Sequence, residues 1–527
     1  MARRSDPNIE RSVPKGRMNM VTRGEVRSGS PGRVTATISM AVLLLAGCTV
    51  GPDFHRPEPP KAEGYTREPL PAKTASAESV PGGEAQGFVR DLDIAHQWWT
   101  VFQSPELNRL IERALKASPT IAAARAALRQ ARELALAQQG YYYPTVQGAF
   151  SPSYQKASAT LSPPLSNNDL RYPLYTLQAT ASYTLDVFGG NRRMVESLEA
   201  TAESQKFLLE ATLVTLETNL VGAAVQDASL RAEIAATRTL IEIASKSLDV
   251  LKLQLKAGAV TGLDVAAQEA ALAQVEGTLP PLRKQLELNR DLLNALSGRL
   301  PGESDLESFD LAGLHLPTEL PISLPSKLIE QRPDVRAAEA GLHAASAQIG
   351  VAVAKRLPQF TITGGYGGMA TDIGKMFSPV AGATGGNTFW SIIGTATQTV
   401  FDGGTLAHQE EAARAAFDQA AAQYRITVLA AFQNVADTLY GLQADADSLK
   451  AAVAAERAAK VTLDITVRQE QAGQINYLSL LAAQTTYQQA LISRVQAQGN
   501  RFSDTAALFQ ALGGGWWNRP PGPAEKE

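Results

Sequence analysis

The sequence contains one unit twice, and this duplication limits the fold more than any motif within it. Ser118-Pro119-Thr120-Ile121 opens an alanine-rich helical stretch that runs to Tyr143-Pro144. Arg332-Pro333-Asp334-Val335 opens another, which runs to Leu357-Pro358, with the two opening prolines 214 residues apart. Gly189-Gly190 and Gly403-Gly404 keep the same 214-residue offset, and Lys256-Ala257-Gly258 returns as Gln471-Ala472-Gly473 at an offset of 215. Each half reads helix, strand, loop, strand, very long helix, turn, helix.

The helices set the scale. Between Gly190 and Gly258 lie 67 residues, and between Gly404 and Gly473 lie 68. At 1.5 Å per residue each predicts a helix about 100 Å long, far beyond an ordinary globular one. Leu209, Leu213, Leu216 and Leu220 in the first, and Phe417, Tyr424, Val428 and Val435 in the second, follow the spacings of three, four and seven that mark coiled-coil seams. The returning helix over 263–297 keeps such a seam through Val265, Leu272, Val275 and Leu279, and Pro280-Pro281 is expected to bend it or interrupt its ladder. Helices over 119–140 and 263–297 would be about 33 and 52 Å long. Stacked end to end they approach one long helix, which predicts a collar of residues 98–117, 298–330 and 500–517 where they meet.

The strands alternate with a period of two. Tyr175, Leu177, Ala179, Ala181, Tyr183, Leu185 and Val187 share one face, and Thr176, Gln178, Thr180, Ser182, Thr184 and Asp186 share the other. In the second half Ser391, Thr395, Thr397 and Thr399 oppose Trp390, Ile392, Ala396 and Val400. Partner strands are expected at about 145–151 and 359–366. A soluble sandwich alternates in the same way. Four strands cannot close a membrane barrel, but several chains giving four strands each can.

The N-terminus carries a separate signal. Residues 1–47 hold eight Arg/Lys against three Asp/Glu, leaving a formal −8 on residues 48–527 of a chain whose total is −3. The basic stretch runs into Ala41-Val42-Leu43-Leu44-Leu45-Ala46-Gly47-Cys48, the order of a secretory signal and too short to span a bilayer. Leu45-Ala46-Gly47-Cys48 resembles a lipobox. Cleavage before Cys48, the chain's single cysteine, would leave it as the first mature residue, carrying an N-acyl group and an S-diacylglycerol. Such a multiple anchor holds to a membrane where one chain is marginal. Met18 and Met20 are alternative starts. Residues 48–97, rich in Pro, Gly and Glu, read as a lipid-anchored extended tether, ended by Trp98, Trp99 and Phe102.

Composition excludes other classes. One cysteine rules out a disulfide framework, and five dispersed histidines offer no metal-ligand spacing. Near-neutral charge without a Lys/Arg block argues against nucleic acid. No G-x-S-x-G, H-E-x-x-H or P-loop pattern occurs, and Gly364-Gly365-Tyr366-Gly367-Gly368 lies between strands rather than before a helix, so the chain does not read as an enzyme.

In their order and spacing, Leu45-Ala46-Gly47-Cys48-Thr49-Val50-Gly51-Pro52, Ala257-Gly258-Ala259-Val260-Thr261-Gly262-Leu263-Asp264-Val265, Arg332-Pro333-Asp334-Val335-Arg336-Ala337-Ala338-Glu339 and Leu512-Gly513-Gly514-Gly515-Trp516 resemble the TolC/OprM outer-membrane efflux family, particularly its NodT-like lipoprotein branch. The resemblance covers 48–517. It implies a mainly α chain with a transmembrane β part. Three copies of four strands form a 12-stranded barrel in the outer membrane, and a long α-helical coiled-coil tunnel continues it into the periplasm. The implied function is a passive exit duct served by a periplasmic adaptor and an inner-membrane pump of the RND type. The domain reading is signal peptide 1–47, tether 48–97, first repeat 98–297, equatorial connection 298–330, second repeat 331–517 and a disordered tail 518–527.

The resemblance also places the turns at Gly258 and Gly473 at the periplasmic tip. Val260, Thr261, Gly262 and Leu263 in the first turn, and Ile475 and Asn476 in the second, become the expected adaptor-docking residues. Candidate gate residues are Asp264, Tyr477 and Ser479. Ser479 and Ala482 stand where family members often carry the aspartates of the closed iris, which puts an acidic cation-binding ring in doubt here. Asp264 also reads as an ordinary helix-start residue. The mature chain has only Met194, Met369 and Met376, so small organic or antimicrobial compounds are favoured as cargo over soft metal ions. A metal-ion duct and a non-conducting, lipid-anchored coiled-coil protein are the alternatives.

Overall fold

In the computed structural model the structure describes residues 49–62, 64–77, 80–158, 170–303, 307–379 and 386–520. The signal segment and Cys48 lie outside the described residues. The elements in chain order are β1 (Gly87–Arg90), α1 (Pro105–Ala117), α2 (Pro119–Gln139), β2 (Thr145–Lys156), β3 (Arg171–Leu185), α3 (Gly190–Lys256) and α4 (Gly262–Leu296). They continue as β4 (Glu319–Ile322), α5 (Pro325–Gln331), α6 (Pro333–Lys355), β5 (Gln359–Ala370), β6 (Thr388–Thr397), α7 (Thr405–Gln471) and α8 (Tyr477–Ala511).

Helices dominate, and α3 and α7 have 67 residues each. Their starts are fixed by carboxylates. Asp186 accepts hydrogen bonds from the N–H groups of Asn191 and Arg192, both at 2.9 Å. Asp402 does the same for Gly404 at 2.9 Å and Leu406 at 2.8 Å. This corrects the strand reading at both joints: β3 stops at Leu185 and β6 at Thr397, short of Asp186, Val187 and Val400. Orphan N–H groups at a helix start compete for the chain, and a carboxylate beside them satisfies two at once.

Both long helices end in the same motif. The Gly258 N–H reaches Leu255 O and the Ala259 N–H reaches Gln254 O; the Gly473 N–H reaches Glu470 O and the Gln474 N–H reaches Gln469 O. These are paired Schellman bonds, and the residue at their centre must be left-handed: φ is +75° at Gly258 and +68° at Gly473. The short helices stack as the lengths require. A Cβ on Gly298, just past α4, would stand 2.6 Å from the O of Ala117, the last residue of α1, and 3.4 Å from Pro119 Cδ at the head of α2. In the second repeat, Arg332 Nη1 at the head of α6 donates to Ala511 O at the end of α8, at 3.0 Å. Helix α4 passes Pro280 and Pro281 without a break, contrary to the expected interruption. The prolines, and Glu276 and Gly277 whose carbonyls lose their donors, lie on an exposed stretch that water reaches.

The main core sits at the collar. Trp98, Phe102, Leu110, Ile111, Leu220, Leu293, Leu439, Leu442 and Phe502 belong to one buried cluster drawn from both repeats. Trp98 stacks on Phe509 with centroids 5.3 Å apart and donates Nε1–H to the buried Glu217 at 3.0 Å. Burial pushes the Glu217 carboxyl up to about 8, against the pull of the Arg519 cation and the Trp98 donor. Arg519 thereby corrects the disordered tail at its start. It pairs with Glu210 and Glu217, and Asn518 bonds Asp93 and the Ile94 carbonyl. The described part of segment 49–97 is extended but pinned: Arg56 pairs with Glu339 at 2.9 Å, Tyr65 donates to Ser323 O, and β1 pairs in parallel with β4.

Candidate functional site

The chain offers a wall and an end. The wall is one antiparallel sheet in the order β2-β3-β5-β6, with β2 and β6 each lacking a second neighbour. Its register puts directly paired residues on a common face. Phe150 opposes Leu177, Tyr183 opposes Ile362, and Tyr366 opposes Trp390. Across four strands this builds one apolar face, and nothing among the described residues covers it: Val146 is 72%, Tyr154 73%, Trp390 73% and Ile392 74% exposed. The opposite face carries Gln147, Thr176, Gln178, Thr180, Ser182, Thr361, Thr363, Ser391 and Thr395. On this face Thr184 and Thr361 bond hydroxyl to hydroxyl across β3 and β5 at 3.3 Å.

The end is where α3 turns into α4 and α7 into α8. The two turns share one apolar cluster of Leu248, Leu251, Val265, Leu463, Tyr477, Leu480 and Ala483, with Val260 packed against it. Four helices therefore converge at the tip. Thr261 caps α4 in a reciprocal box: its hydroxyl accepts from the Asp264 N–H, while the Asp264 carboxylate receives the Thr261 N–H at 2.9 Å and hydroxyl at 2.7 Å. The Thr261 donors hold the Asp264 carboxyl below the usual range. Asn476 caps α8, its Oδ1 accepting from the Ser479 N–H at 3.0 Å and hydroxyl at 2.9 Å. Two of the three gate candidates, Asp264 and Ser479, are thus engaged in caps. Gly262, Thr261 and Asn476 are exposed, Ile475 is half-buried, and Leu263 stands 75% exposed with Leu478 at 57%.

Tyr477 is different. It is buried by its own chain, and its hydroxyl donates to Gln268 Oε1 on α4. Gln268 Nε2 in turn donates to Ala244 O on α3 at 2.6 Å. One polar chain so crosses from the second hairpin to both helices of the first. Burial pushes the phenol up from its ordinary range, with Glu470 and Asp264 adding to the effect, so it stays a donor. Gln484 reinforces this by donating to Ser247 Oγ at 3.1 Å. Gln268 and Gln484 were not singled out from the sequence, although a signal existed. Gln268 falls between Val265 and Leu272 at spacings of three and four, and Gln484 continues Tyr477 and Leu480. A polar residue on an apolar seam requires a buried partner.

The profile of the outer membrane efflux protein family matches residues 110–299 and 324–514, one stretch in each repeat. The chain belongs to the outer membrane efflux protein family. Its members are channels of the TolC type, not enzymes, and the chain is an outer-membrane component of an efflux system. Among curated relatives, the pyoverdine export outer membrane protein OpmQ of Pseudomonas putida is 26% identical over 80% of this chain and 88% of its own length. The toluene efflux pump outer membrane protein TtgC of Pseudomonas putida is 26% identical over 92% of this chain and 96% of its own. The solved outer-membrane channel OprN superposes with a TM-score of 0.77 at 26% identity, covering 89% of this chain and all of that one.

Proposed function

We propose that three copies of the chain close their sheets into a 12-stranded barrel, and that the assembly is a passive exit duct for small organic or antimicrobial compounds. An inner-membrane pump of the RND type would load it through a periplasmic adaptor. The observation that carries this reading is the uncovered apolar face of a sheet with two free edges. A sandwich would bury that face within the chain. A barrel instead turns it to lipid, lines its lumen with hydroxyl and amide groups, and satisfies the edges by pairing β2 of one copy with β6 of the next. Strands of 10–15 residues have the reach of membrane strands, about 9–11 residues tilted. Export of pyoverdine and toluene, named for two relatives, supports an organic cargo. The N-acyl and S-diacylglycerol groups on Cys48 supply a second hold on the membrane.

The tip is the adaptor-docking and opening element on this reading. Leu263 and Leu478 present apolar side chains beside the turns, and the Tyr477–Gln268–Ala244 chain holds the two hairpins together. Opening separates the hairpins as rods and breaks that chain. The test is conductance of the purified protein in planar bilayers. The wild type should show a small, rarely open pore, and Tyr477→Phe a larger open fraction. A trimer that conducts nothing in either form would leave a structural protein instead.

A further inference from the structure

The apolar stripe on β2 and β3 ends in two cations set directly against each other. In the β2–β3 ladder Phe150 pairs with Leu177, Tyr154 with Pro173 and Lys156 with Arg171. Side chains alternate with a period of two, so Lys156 and Arg171 stand on the same face as Phe150 and Leu177. Both are exposed. Like charges directly opposite across a ladder repel, and among the described residues no carboxylate pairs with either. The pair beside them, on the other face, is satisfied from within the hairpin: Gln155 Nε2 donates to the Tyr172 hydroxyl at 2.9 Å. The two cations are left to something outside the chain.

Their height on the wall says what that is. Thr145, the first residue of β2, follows α2, and Leu185, the last of β3, leads into α3, so Lys156 and Arg171 lie at the end remote from the helices. Ten residues separate Val146 from Lys156. At about 3.3 Å each and a tilt of about 40°, that is roughly 25 Å, the height of an outer-membrane apolar band. Tyr154 and Tyr175, just below the cations on the same face, have the amphipathic rings that favour headgroup level.

We propose that Lys156 and Arg171 together hold the phosphate of a lipid headgroup in the outer leaflet, with the acyl chains lying along the stripe of Tyr154, Phe150 and Val146. The inference rests on the barrel reading, which turns this face to lipid. A phosphate placed between the two side chains converts their repulsion into two charge-assisted contacts. The Arg171 guanidinium can grip two phosphate oxygens at once, and the Lys156 ammonium adds a point charge. The apolar stripe below supplies what a free anion cannot use, so the site selects a lipid over phosphate alone.

Native mass spectrometry of the full-length trimer in mild detergent, titrated with dioleoylphosphatidic acid, tests the site. Wild-type protein should bind one such lipid per chain ahead of any further uptake. Dioleoylphosphatidylcholine, whose phosphate is offset by its own cation, should bind more weakly. Lys156→Gln and Arg171→Gln should each weaken phosphatidic acid binding by about tenfold, and Arg171→Lys by less. Arg67→Gln, an exposed cation of the tether, should leave it unchanged. Both cations are exposed, so the variants should keep the trimer mass, which the same spectra report. A double variant that binds phosphatidic acid as wild type does overturns the proposal. So does displacement of the lipid by a matching concentration of inorganic phosphate, which would make this a free-anion site. A trimer that takes up no phosphatidic acid sinks the lipid site and leaves the barrel standing, whereas a stable monomer sinks the barrel reading beneath it.

Discussion

Asp504 shows how much one buried carboxyl can depend on its neighbours. It lies against α7 at Gly441, where any Cβ would overlap its Oδ2, and it hydrogen-bonds to Asp445 across the α7–α8 seam. Arg501, one turn earlier on α8, is fully buried and donates to Thr74 Oγ1 at 3.1 Å and to the Glu84 carbonyl. Burial, together with the Asp445 charge, pushes the Asp504 carboxyl up to about 6. The folded state therefore binds a proton that the unfolded chain has lost by about pH 4. Its contribution is fully present below that pH and is lost as pH rises through about 6. Asp504→Asn keeps a donor and cannot ionise. It should raise stability at pH 7.5 by about 1 kcal/mol, after discounting for partial exposure, and change little at pH 4. Thermal unfolding at the two pH values checks this, and equal shifts at both would contradict it.

At the scale of elements, the long helices are defined by their ends as much as by their seams. Gly258 and Gly473 have no atom near enough to hinder a side chain, so space does not dictate glycine there. The left-handed backbone does, and it carries the two Schellman bonds that stop each rod. Gly258→Val and Gly473→Val should each cost about 1–2 kcal/mol through backbone strain. The cost should appear as faster amide exchange within the turn and adjoining helix ends, with collar peptides unchanged. Loss of protection throughout the chain would instead mean that the turns govern the fold globally. Helix α3 makes a related point. By length and composition it could cross a membrane, yet half of its most apolar window is buried within the chain. Its hydrophobicity serves packing against α2, α4, α6 and α8.

At the scale of the molecule, the sheet is incomplete. Among the described residues β2 and β6 each pair with one strand only, and lipid cannot satisfy the backbone groups of an open edge, at several kcal/mol each. Closure by three copies, as proposed, would remove every edge and enclose the polar face. Mass measurement in mild detergent should give about three mature chains per particle. A stable, correctly folded monomer would require some other cover for both the edges and the apolar face.

Sequence alone determined the repeat, the long helices, the stops at Gly258 and Gly473, and the alternation of the strands. Each is a local property: periodicity selects helix or strand, and a glycine after a helix terminates it. Membership of the family was legible for the same reason, since the landmarks keep their spacing along the chain. The tertiary structure decided what depends on residues remote in sequence. Asp186 left its strand because α3 needed a cap, and β1 found β4 although neither is long enough to carry a signature. Tyr477, a gate candidate by position, met Gln268 from 209 residues away. Arg193, in the first turn of α3, holds Val50 O and Asp53 Oδ1 from 143 and 140 residues away. Burial and hydrogen-bond partnership are properties of the packed chain, and periodicity in one segment cannot specify which distant segment will supply them.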